Sequence, residues 1–221
     1  MKRQEKKKPI NWTKVFIVAI CVLFAFAMVA TYLSPVIGSM RTIKPNESVT
    51  ADITVRDAAG LPLITTNQQV YDSAPIRGFL LRDPMILKGG ARTTDLVSVD
   101  AYNQYTGWVK FSFLWLEVDE MNAAIVGMRE GETKNVKFTF NQSLEMNVTA
   151  EDFEMIGGNF TITRVGDWFP IGFSPTPPVD GSDEPQQGSV RLANVLEKSN
   201  ESMIITYRYS SVDVSIKNIG T

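Results

Sequence analysis

The sequence predicts a mainly β, α+β chain in which an N-terminal transmembrane helix precedes an antiparallel sheet with one short helix, and an additional β module closes the chain. Three observations carry that expectation. Residues 15–33 form an uncharged apolar run in which only Thr31 and Tyr32 carry hydroxyls. Most of the chain beyond that run alternates apolar and polar residues with period two. One stretch, Met121, Ala124, Ile125 and Met128, is instead spaced i, i+3, i+4 and i+7.

The run of 19 residues over 15–33 matches a hydrocarbon core of about 30 Å. Six basic residues (Lys2, Arg3, Lys6, Lys7, Lys8, Lys14) and one acid, Glu5, precede it, and only Arg41 and Lys44 follow it closely. The asymmetry predicts a cytoplasmic basic tail over 1–14, a lipid bilayer contact through 15–33 and a juxtamembrane linker over 34–47. The location expected is the cell membrane, single-pass, with the C-terminal domain extracytoplasmic. A cleaved signal peptide is the competing reading, with Ala25 and Ala27, or Ala30, as small residues for a peptidase. Both readings export the remainder.

From residue 41 onward 16 basic residues face 23 acids, a formal charge of −7. A surface of that sign disfavours nucleic acid as a partner. The single cysteine, Cys21, lies inside the apolar run, so the exported part is held by its core alone, without a disulfide. Sequons at Asn46, Asn141, Asn147, Asn159 and Asn200 would have to be exposed if used. Sequons, acidity and the missing disulfide together suit an archaeal cell surface.

Val49, Ala51, Ile53 and Val55 alternate with polar residues as a half-buried strand does. Similar stretches run over 95–101, 108–116, 133–140, 159–165, 190–196, 203–209 and 212–219. The helical stretch has Asp119 as its expected N-cap and Gly131 beyond its end. Residues 174–188 hold four prolines and three acids with Val179 as the only large apolar residue, which reads as a linker. The body is then 48–173, and 189–221 is a small β module that must pack on it or pair with one of its edges.

The chain contains no histidine, which removes Ser-His-Asp and Cys-His nucleophiles and the commonest metal ligand. The paired acids Asp119/Glu120, Glu130/Glu132 and Asp152/Glu154 have no spacing that marks a glycosidase pair. Asp180-Gly-Ser-Asp-Glu lacks the alternating oxygen ligands of a calcium loop, and Gly89-Gly90 is a turn rather than a phosphate cradle. Neither a metal nor a cofactor is expected.

The segment 110–140 places an aromatic strand, the short helix, a Gly-Glu turn and a further strand in order. Ala124-Ile125-Val126-Gly127-Met128-Arg129-Glu130-Gly131-Glu132 within it, and Val70-Tyr71-Asp72-Ser73 upstream, resemble the FKBP-type peptidyl-prolyl isomerases. The resemblance covers about residues 48 to 140. It implies an FKBP-like antiparallel sheet around one short helix. It also implies a pocket walled by Tyr71, Phe111, Phe113, Val118 and Met121, with Asp72 as a polar orienting group. For Phe111, Phe113 and Met121, plain core packing is an equal reading. The chain departs from the family in a spacing of about 35 residues between Ser73 and the aromatic strand, and in lacking the later Pro-x-x-Ala-Tyr-Gly.

Prolyl isomerisation has a barrier of about 18–20 kcal/mol set by amide resonance, and a dry apolar pocket lowers it without acid, base or metal. Two functions are therefore expected as alternatives. The first is a membrane-anchored isomerase or folding chaperone for unfolded or proline-containing exported polypeptides. The second is a non-catalytic, glycosylated envelope module that contacts other envelope proteins through the same fold. An apolar groove near Tyr71 and Met121 favours the first, and a filled pocket the second.

Overall fold

A computed structural model describes residues 12–38, 41–75, 78–173 and 188–220, with side chains of the N-terminal helix described over 16–29. The chain divides into two compact units, Met1–Arg41 and Thr42–Thr221.

The first unit holds helix α1 (Trp12–Gly38). Its described side chains all lie exposed. Among the described residues no helix is long and apolar enough to cross a membrane. The expected transmembrane helix over 15–33 is corrected accordingly. The single-pass cell-membrane location that rested on it is corrected with it.

Among its described residues the second unit is built on twelve strands: β1 (Ser48–Arg56), β2 (Pro62–Thr65), β3 (Phe79–Leu81), β4 (Met85–Lys88), β5 (Val97–Asn103), β6 (Gly107–Phe113), β7 (Thr133–Lys137), β8 (Glu145–Thr149), β9 (Trp168–Phe173), β10 (Ser189–Lys198), β11 (Ser202–Thr206) and β12 (Ser211–Ile219). They join in the order β7-β12-β1-β2-β3-β5-β6-β10-β11-β8, with β4 beside β1 and β9 beside β10. β12 lines one edge of β1 from Val49 to Arg56. The opposite edge is long enough to seat β4 on Ser48–Ala51 and β2 on Thr54–Arg56.

The sheet is mixed, which corrects the antiparallel expectation. β2 and β3 run parallel because helix α2 (Gln68–Ser73) carries the chain between them, the crossover that parallel neighbours require. β6 and β10 also meet in parallel, at Phe111 and Val190.

The single-helix expectation is corrected too, since α3 (Trp115–Ala124) and α4 (Ala150–Met155) accompany α2. Two of the three have six residues, too short for a periodic signal, and their mark in the sequence is the cap. Asn67 Oδ1 accepts from the backbone N–H groups of Gln69 and Val70, and Thr149 Oγ1 accepts from that of Asp152. α3 starts before the expected Asp119 because Glu117 reaches back, its Oε2 accepting from the backbone N–H of Leu114 at 2.9 Å. Asp119 instead accepts from the backbone N–H of Thr93. The stretch 159–165 is turn rather than strand, its carbonyls at Phe160 and Thr163 receiving Lys198 Nζ.

Two cores result. The main one gathers β1, β12, β4 and α3 around Ile53, Phe79, Phe111, Phe113, Met121 and Val214. A second gathers Val148, Phe153, Ile171, Val195 and Ile205. β10 serves both: Leu192 belongs to the first, while Ala193 and Val195 belong to the second, as the alternation of a strand requires. The C-terminal strands are thus woven into the body, β12 beside β1 and β10 beside β6. The expected linker 174–188 falls, except for Gly188, outside the described residues.

Candidate functional site

A cleft of about 440 Å³ lies between α2 and strands β3, β5 and β6, lined by Gln68, Tyr71, Asp72, Leu80, Tyr102, Gln104 and Trp108. The Asn67 cap starts α2 so that Tyr71 turns inward and Asp72 outward. Asp72 Oδ1 accepts from Gln68 Nε2 at 2.8 Å, one turn back. The Tyr71 ring meets Tyr102 edge-on at 6.5 Å and 67°. Tyr102 meets Trp108, its cross-strand partner on β6, at 5.5 Å. The three rings form a continuous aromatic wall, of which Trp108 is 54% exposed.

A charged lattice holds the outer end of that wall. The Arg82 guanidinium lies 4.6 Å above the Trp108 ring, worth about 0.5–1 kcal/mol at an exposed site. Arg82 also pairs with Asp100 at 2.9 Å, and Lys110 pairs with the other Asp100 oxygen at 2.7 Å. The hydrogen bond from Lys110, with Arg82 and Lys110 charge adding to it and desolvation opposing, holds the Asp100 carboxyl below its ordinary range.

Of the residues expected at the pocket, Tyr71 and Asp72 stand side by side at this cleft. Phe111, Phe113 and Met121 have no exposed surface, and Val118 is 6% exposed. All four belong to the main core and none of them lines the cleft.

The residues that sequence reasoning passed over are Tyr102 and Trp108 on the wall, and a buried ion pair between β10 and α3. Arg191 and Glu117 are both fully buried. Arg191 Nη2 donates to Glu117 Oε1 at 2.7 Å and Nη1 to Oε2 at 3.0 Å. Nη1 and Nη2 also donate to the backbone carbonyls of Ser112 and Tyr207. Four of the five guanidinium N–H groups are thereby satisfied, and Nε has no hydrogen-bond partner among the described residues. The guanidinium lies 4.9 Å from the Tyr209 ring and 6.0 Å from Phe111. Burial opposes its charge, but the charge and hydrogen bonds of Glu117 together with the neighbouring Tyr209 and Tyr207 more than offset it and keep Arg191 protonated beyond its ordinary range. The pair joins β10 to α3 and to β6, the strand that carries Trp108.

A charge flanked by large apolar residues was the signal for this pair, since Glu117 sits between Leu116 and Val118 and Arg191 between Val190 and Leu192. Among the described residues no group of three or more acids and cysteines is placed to hold a metal ion. No family model matches the chain, and no characterised protein matches its sequence.

Proposed function

We propose that the chain is a binding module for proline-containing polypeptide segments, with the Tyr71–Tyr102–Trp108 cleft as its recognition surface and no catalysis at that surface. The observation that carries this reading is the aromatic wall itself, flanked by the polar ends of Gln68, Asp72 and Gln104. Proline rings pack on aromatic faces, and an extended proline-rich segment is already ordered before it binds, so little conformational freedom is lost. The flanking amides and Asp72 offer hydrogen bonds to the segment's free carbonyl and amide groups.

Prolyl isomerisation at the same cleft is the second reading, favoured by Tyr71 and Asp72 standing together on its wall. It ranks lower because Gln68, Asp72, Gln104 and Trp108 are all exposed, so a bound amide stays in contact with water. The dry surroundings that lower the rotational barrier are then missing.

The reading is tested by fluorescence anisotropy, titrating the full-length chain into a labelled decapeptide rich in proline and into its alanine counterpart. Saturable binding of the first, weakened about tenfold or more by Trp108→Ala, supports the module. Equal binding of both peptides, or binding indifferent to Trp108→Ala, contradicts it.

A further inference from the structure

A second cleft, of about 420 Å³, opens where the β1–β2 turn, β8, β9, β10 and the segment between β11 and β12 converge. Its size is within the usual range of small-ligand sites, about 300–1,000 Å³. Trp168, Glu145, Arg208, Asp57 and Asn194 line it together with Tyr209.

The aromatic part is rigid. The Trp168 ring stacks on Tyr209 at 6.2 Å and 30°. Tyr209 is fixed in turn, because its hydroxyl accepts from the backbone N–H of Leu192 and donates to the carbonyl of the same residue. Arg191 holds the same ring from within the core. The indole is therefore set in place before any ligand arrives, which reduces the entropic cost of binding.

The polar part is unusual in its charges. Arg208 rests 5.1 Å over the Phe140 ring and donates to the Phe138 carbonyl. Among the described residues it forms no ion pair with Asp57 or Glu145, although all three line one cleft. Asp57 spends Oδ1 on the backbone N–H of Leu61, and Asn194 directs its amide N–H groups at the carbonyls of Gly166 and Asp167.

We propose that this cleft binds a neutral sugar ring. The C–H face of a pyranose makes dispersion contact with a flat indole. A hydroxyl both donates and accepts, so neighbouring hydroxyls can donate to the carboxylates of Asp57 and Glu145 while another accepts from Arg208. A ligand of either net charge meets an unfavourable partner here, a cation at Arg208 and an anion at the two carboxylates. This inference is independent of the polypeptide reading, since the two clefts share no lining residue.

The experiment tracks the tryptophan indole signals of the full-length chain by NMR during titration with maltotetraose, cellotetraose and triacetylchitotriose, with glycine betaine as a small zwitterionic control. Trp168→Phe assigns the signal. The expected result is a saturable shift of the Trp168 indole with at least one sugar, weakened about tenfold by Glu145→Gln and by Arg208→Met. Both variants change exposed side chains, so neither depends on rebuilding the core. No shift of Trp168 with any of the three sugars in the folded chain overturns the proposal. So does a shift with glycine betaine alone, or sugar binding unchanged in both variants.

Discussion

Arg191 and Glu117 meet through two parallel hydrogen bonds of 2.7 and 3.0 Å although neither side chain reaches solvent. Removing one partner of such a pair strands the other charge in the core, at about 3–5 kcal/mol. Replacing both with apolar residues avoids that. The expectation is that Glu117→Leu and Arg191→Met each lower the urea midpoint sharply, while the double variant loses clearly less than the two single losses added. Additive losses in the double-mutant cycle would show that the two side chains act independently.

Tyr209 is the group through which the same region senses alkaline pH. Burial raises its hydroxyl pKa above the ordinary value of 10.0, with the Arg191 charge only partly opposing. The unfolded chain therefore releases the proton first, so this contribution to stability is complete below about pH 10 and is lost progressively as pH rises further. Tyr209→Phe removes both hydrogen bonds to Leu192 and is expected to cost about 1 kcal/mol at neutral pH. Urea midpoints of the two proteins are expected to draw together between about pH 10 and 11. A constant gap would contradict the assignment.

Gly78 and Gly172 differ in what a side chain would meet. A Cβ at Gly78 would overlap the backbone carbonyl of Leu63, whereas one at Gly172 would meet nothing within 4 Å. Backbone cannot step aside as a flexible side chain can, so Gly78→Ala is expected to lower the thermal midpoint markedly or to prevent folding. Gly172→Ala is expected to stay within about 0.5 kcal/mol of the parent. Thermal unfolding of the two variants side by side checks the contrast.

An open, hydrated cleft also sets an expectation for catalysis. The chain is expected not to accelerate the proline-limited refolding of a substrate protein at substoichiometric concentration, and Tyr71→Ala and Asp72→Ala are expected to leave that rate unchanged. Acceleration by the parent chain, lost in those variants, would establish the isomerase reading at this cleft.

The strands were legible where one face is buried and the other wet, as in β1, where Val49, Ala51, Ile53 and Val55 point inward between polar neighbours. The parallel contacts were not, because they depend on which strands a crossover brings together, and α2 is too short to announce itself by period. Tyr71 and Asp72 could be singled out from a tetrapeptide, but Phe111, Phe113 and Met121 read equally as pocket or core, and only packing distinguishes the two. Trp108 and Tyr102 share one face of the sheet through cross-strand pairing, a relationship set by register rather than by order in the chain. Residues 15–33 carried the strongest compositional signal, yet among the described residues no helix is long and apolar enough to cross a membrane.

The most direct test of the polypeptide cleft is the Trp108 indole resonance, assigned with Trp108→Phe and monitored by NMR as the proline-rich decapeptide is added to saturation. A saturable shift of Trp108, with Trp168 unmoved, is the expected result. Trp108 unmoved at saturating peptide, or a shift confined to Trp168, would contradict the placement of the binding surface at Tyr71, Tyr102 and Trp108.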